Sequence, residues 1–178
     1  MGFNERAEPR ISLYFHMFYS FNGCCTPVNT PLRNLNLLEM DKPTFVFSLG
    51  AWNTPIVFDS VRDRLNTLGY PSECPAHPSI GAEPPSLTLE DDVASLRRVL
   101  MTLADEAKDI VLVAHSYGGV VASTASEGLL KQVHAETGKP GGIVKIVYLA
   151  AFALDKGQSL LGMLGGAYLP WMKVEVGP

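Results

Sequence analysis

In the stretch DIVLVAHSYGGVVAS, Asp109 to Ser123, a serine stands between a β-branched apolar run and a run of small residues, with two glycines just beyond it. A strand that ends in such a serine and turns at once into a helix needs small neighbours, because the turn is tight and lifts the hydroxyl above the sheet. Ser116 is therefore the candidate nucleophile, the competing role being an ordinary helix N-cap. A helix starting there aims its N-terminal N–H groups and its dipole at the hydroxyl, and the backbone N–H of Tyr117 is placed to donate to a developing oxyanion. A second donor must come from another loop. LGAWN, Leu49 to Asn53, follows an apolar run and carries a glycine that admits close approach, so Ala51 N–H is the candidate.

A serine hydroxyl attacks well when an imidazole takes its proton and a carboxylate fixes the tautomer of that imidazole. The chain has four histidines, and none is an easy fit. His115 is adjacent to Ser116, and neighbours on a sharp turn point apart, which suits it to packing. His134 is the single histidine downstream; on one continuous helix from the elbow it lies about 18 residues and ~27 Å of helical rise away, out of reach. His77 falls in a Pro-rich loop and reads as a surface histidine, and His16 belongs to an unassigned N-terminal stretch. Asp155 is the candidate acid worth naming, against the plainer reading of a solvated aspartate in the turn LDKGQ.

The elements that would position these groups alternate short apolar runs with helical periods, the mark of a parallel sheet with helices on both faces. TFVFSLG, Thr44 to Gly50, reads as a strand covered on both sides. Thr54-Pro55 opens a helix with Phe58, Val61, Leu65 and Leu68 at helical spacing, stopped by Gly69. Residues 70–86 contain too much proline for more than a short strand toward an edge. Thr88 with Asp91 forms a variant capping box, with Glu90 and Asp92 beside it as further acids at the positive end of the helix dipole, ahead of the stripe Leu89, Val93, Leu96, Leu100, Leu103 and Ala107. DIVLVA is the next strand, Val120 to Thr137 a long helix closed by Gly138, and GIVKIVYLAAF, Gly142 to Phe152, the last strand. Residues 1–40, with the aromatic run ISLYFHMFYSFNGCC and a Pro- and Asn-rich linker, read as an extension to a domain over 41–178.

Taken together, G-A-W after a strand, DDVASLRRVL, VLVAHSYGGVVAS and IVYLAAFALDKGQSL resemble the α/β-hydrolase fold superfamily, especially its small esterase-like and hydroxynitrile-lyase-like members, over about residues 42 to 178. The resemblance implies a three-layer α/β fold and a serine hydrolase. Two positions depart from the family pattern. Ala114 replaces the first glycine of G-x-S-x-G, and Leu49 stands where a histidine often shapes the oxyanion loop. The resemblance also implies an acid and a late histidine after further strands. The tail from Leu160 to Pro178 reads as the start of a lid, so the chain is expected to carry the N-terminal portion of such a domain. The last strand is then an apolar edge inviting self-association.

Composition narrows the classes. At 178 residues with 47% hydrophobic residues the chain can build one core. A net charge of -4 with scattered Lys and Arg argues against nucleic acid. No run reaches the ~18 apolar residues of a membrane span. Three cysteines without metal-type spacing suggest reduced thiols and a cytoplasmic setting, with no cofactor and no metal site. The leading expectation is an esterase-like serine hydrolase acting on a small apolar substrate with Trp52 and Trp171 in its binding site. The alternatives are a non-catalytic binder, whose pocket lies between Trp52, Tyr117 and Trp171, and a hydroxynitrile-lyase-like enzyme.

Overall fold

A computed structural model describes residues 42–168 and 170–172. The residues read above as an N-terminal extension, and the last residues of the tail read as the start of a lid, lie outside them. Among the described residues four strands form one parallel sheet: β1 (Thr44–Ser48), β2 (Ser72–Glu73), β3 (Asp109–His115) and β4 (Gly142–Leu149), in the order β2-β1-β3-β4. The proline-rich segment yields the two-residue strand β2 at one edge, as its composition requires. A 3-10 turn (Pro55–Phe58) runs into α1 (Asp59–Thr67), followed along the chain by α2 (Leu89–Asp105), α3 (Gly118–Ala125), α4 (Lys131–Glu136) and the short α5 (Leu160–Met163).

Alternation along the strands sorts the core into two clusters. On one face Val46, Ile110, Leu112 and Ala114 meet Leu96, Leu100 and Ala104 of α2 and Val121, Ala122 and Ala125 of α3. Each buried leucine or isoleucine there contributes about 1.5–3 kcal/mol. On the other face Phe47, Leu49 and Phe58 gather with Leu65, Cys74 and Val113. α2 starts as expected, the Thr88 N–H donating to the Asp91 carboxylate at 2.8 Å. Its buried stripe is Asp92, Leu96, Leu100 and Ala104. Ala107 lies past the end of the helix with φ +62 and is exposed, so it is not part of the stripe.

Two further expectations are corrected. The helix after the first strand begins as a 3-10 turn, and Val61 and Leu68 remain about half exposed, so only Phe58 and Leu65 of its stripe join the core. The long helix from Val120 to Thr137 is two helices. Gly128, at φ +75, takes the chain through a turn between α3 and α4, and the Arg97 guanidinium donates to the carbonyls of Ala125 (2.9 Å) and Glu127 (2.7 Å) at that break. β4 is the other edge of the sheet, and Val144, Val147, Tyr148 and Leu149 are exposed along it. Between α4 and β4 lies an open hollow of about 520 Å³ lined by Leu130, Lys131, Ile143 and Val144, at the opposite end of the strands from Ser116.

Candidate active site

β3 ends at His115, and Ser116 adopts φ +52, a left-handed conformation that costs a non-glycine residue about 1 kcal/mol or more. Strain of this kind persists where the surroundings over-determine it, and here two loops do so. A Cβ on Gly118 would fall on the carbonyls of Ser48 and Leu49, and one on Gly119 on the carbonyl of Phe152. The two glycines thus serve different neighbours, the first the loop after β1 and the second the loop after β4. The Ser48 hydroxyl, fully buried, donates to the Gly118 carbonyl at 2.9 Å, and Phe152 N–H donates to the Ser116 carbonyl at 3.1 Å.

Trp52 (φ +61) and Ala150 (φ +44) share the left-handed region with Ser116. All three follow the C-terminal ends of parallel strands, the side on which open α/β sheets place their ligands. Ala51 lies in the turn from Gly50 to Asn53, which is closed by Asn53 N–H donating to the Gly50 carbonyl at 3.3 Å. Gly50 is needed because a Cβ there would come within 2.8 Å of the Asn53 amide and of His115 Nδ1. Both candidate oxyanion donors therefore sit in loops fixed from several sides.

Trp52 and Trp171 meet edge to face, with ring centroids 5.9 Å apart, although the sequence separates them by more than a hundred residues. Both remain largely exposed, at 71% and 63%. Tyr117 is fixed by contacts of its own. Its ring meets His77 edge-on at 5.7 Å, and its hydroxyl donates to Asp92 Oδ2 at 2.9 Å. Burial foremost, then the bond to Asp92, hold this hydroxyl protonated, well above the ordinary phenol range.

The histidines are placed by contacts elsewhere. His77 is 3% exposed, not a surface residue, with Nε2 3.0 Å from the Leu49 carbonyl. His115 packs edge-on against Phe58, at 6.3 Å. His134 is out of line with the elbow because α4 is a separate helix; it is buried, with Nδ1 2.7 Å from the Gly141 carbonyl. His16 lies outside the described residues. Asp155 is exposed in a turn in which its carbonyl accepts from Gln158 N–H at 3.0 Å.

Asp92 is the residue that sequence reasoning missed. Read as one of three acids at the start of a helix, it is fully buried and accepts three hydrogen bonds: Ser79 N–H (2.9 Å), Ser79 hydroxyl (2.7 Å) and Tyr117 hydroxyl. Its spacing held the signal. It stands three residues after Leu89 and four before Leu96, on the apolar face of α2.

A strained serine between a parallel strand and a helix, with two packed glycines behind it, defines a nucleophile-elbow protein of the α/β class. A sequence profile described as the alpha/beta hydrolase family matches residues 45–177, and the chain belongs to that family. It is 34% identical over 127 residues to the alpha/beta hydrolase nvfD of Aspergillus novofumigatus, covering 70% of this chain and 49% of that protein. It is 29% identical over 136 residues to a carbendazim hydrolyzing esterase of Nocardioides, covering 74% and 51%. An extracellular alpha/beta-hydrolase from a Paenibacillus species, described as sharing structural and functional homology with tobacco salicylic acid binding protein 2, superposes with a TM-score of 0.54 at 31% identity, over 67% of this chain and 45% of that one. The chain spans about half the length of the relatives it matches.

Proposed function

We propose that this chain carries the nucleophile and oxyanion portion of an esterase-like serine hydrolase, with Ser116 as nucleophile, Tyr117 and Ala51 N–H as oxyanion donors, and a small apolar ester as substrate. The observation that carries the reading is the left-handed backbone of Ser116 at the β3–α3 junction, held by the close packing at Gly118 and Gly119. The esterase among the relatives supports the reaction class. The exposed Trp52–Trp171 pair suits an apolar acyl or alcohol group. A fluorophosphonate probe is expected to leave one adduct on Ser116, located by peptide mass, and none on Ser116→Ala. An unmodified Ser116 in the intact protein would overturn the proposal.

A second reading is favoured by the histidines. His77, His115 and His134 are each committed to other partners, so among the described residues no imidazole is poised on Ser116. On that reading the chain holds an apolar ligand without turning it over. Its two tryptophans, Trp52 and Trp171, report the difference. A small apolar ketone that shifts their emission in a protein that fails to react with the probe would support binding without catalysis.

A further inference from the structure

We infer that Asp92 is a positioning residue that locks together the two loops bearing the oxyanion donors. The inference rests on the hydrolase reading for its catalytic meaning and on geometry for its mechanical one. From α2 the carboxylate reaches in two directions. Oδ2 accepts the hydroxyl of Tyr117, the residue whose N–H faces the oxyanion, while both oxygens hold Ser79 through its N–H and its hydroxyl. Ser79 is two residues from His77, whose Nε2 lies 3.0 Å from the Leu49 carbonyl at the root of the loop bearing Ala51, and whose ring lies against that of Tyr117. The chain of contacts is therefore closed: Asp92 to Tyr117 to His77 and back through Ser79. It needs no motion of the sheet to transmit a displacement from one donor loop to the other.

The placement is costly unless it serves something. A carboxylate with no exposed surface in the apolar stripe of α2 stays there only because three donors compensate it. A leucine would pack that face of the helix with no such requirement, but it would leave the Tyr117 hydroxyl and the 77–80 turn without their common anchor. Preorganised donors are worth most when nothing must reorganise as charge develops, which a two-loop brace provides.

Two variants separate positioning from bulk stability. Asp92→Asn keeps the shape: Oδ1 accepts from Ser79 N–H while the two amide hydrogens meet the two hydroxyl oxygens. Asp92→Ala removes every bond. In full-length protein, hydrogen exchange read by mass spectrometry is expected to quicken about tenfold or more at Asn53 and Gly119 in Asp92→Ala, to leave β3 residues 110–114 unchanged, and to return toward the original in Asp92→Asn. Saturation kinetics of the fluorophosphonate should show a maximal rate about tenfold lower in Asp92→Ala at unchanged half-saturation, again recovered by Asn. Should Asp92→Ala fail to fold, Tyr117→Phe, which deletes one bond, is expected to quicken exchange at Gly119 alone. Exchange that stays as in the original at both loops, or quickens equally through β3, overturns the brace. Absence of any adduct on Ser116 overturns the hydrolase reading instead, and the exchange data then decide the brace by themselves.

Discussion

The two faces of the sheet are built to different standards. On the α2–α3 face Val46, Leu100, Ile110, Leu112, Ala114, Val121 and Ala122 have no exposed surface. On the other face α1 buries none of its residues, and Val147 and Leu149 of β4 remain 37% and 50% exposed. The brace on Tyr117 hangs from the closed face, through Asp92 of α2. The elbow is thus tied through Tyr117 to the well-packed layer and through Gly118 to the carbonyls of Ser48 and Leu49, while the layer built on α1 is half open.

The largest test of that contrast is Gly119→Ala. Its methyl meets the Phe152 carbonyl, which is backbone and cannot swing aside, so a loss of about 4 kcal/mol or failure to fold is expected in urea denaturation. Leu100→Ala on the closed face should cost about 3 kcal/mol, against under ~0.5 kcal/mol for Val147→Ala on the open one. Equal losses would break the contrast. Ser116→Gly should remove reaction with the probe yet stabilise the fold by about 1 kcal/mol, since glycine relieves the positive φ. The exposed β4 edge is proposed to join copies of the chain; Leu149→Lys should shift sedimentation velocity toward the monomer at equal concentration.

The smallest effect belongs to the second face, where half-buried Cys74 packs against the cluster of Phe47, Leu49 and Phe58. There burial pushes the Cys74 thiol up to about 11, against an opposing pull from Arg62. Its folded pKa lies above the unfolded one, so its contribution to stability is intact below about pH 9 and declines as the pH climbs toward 11. Cys74→Ala should flatten the alkaline limb of a pH–stability curve. Alkylation of folded protein at pH 8 should be much slower than of unfolded chain.

Much of the layout was legible beforehand. β-branched runs marked β1, β3 and β4, proline marked the weak edge strand, and the capping box marked the start of α2, because each is a local rule acting on adjacent residues. The elbow was legible for the same reason: strand, serine and paired glycines are contiguous. The break between α3 and α4 was not, since a lone glycine such as Gly128 does not by itself end a helical pattern, and the Arg97 cap that stabilises the turn comes from about thirty residues away.

What the sequence determined by itself is the candidate nucleophile and the kind of turn that presents it: Ser116 after an apolar strand, with small residues where any side chain would collide. What only the tertiary structure decided is which distant groups surround it. His77 changed from surface residue to buried partner of Leu49, and Asp92 from helix-dipole acid to the anchor of Tyr117. Trp52 and Trp171 proved to be in contact. Periodicity assigns a residue to a face, but the partner that compensates a buried charge is chosen by how separate elements pack, which no local spacing encodes.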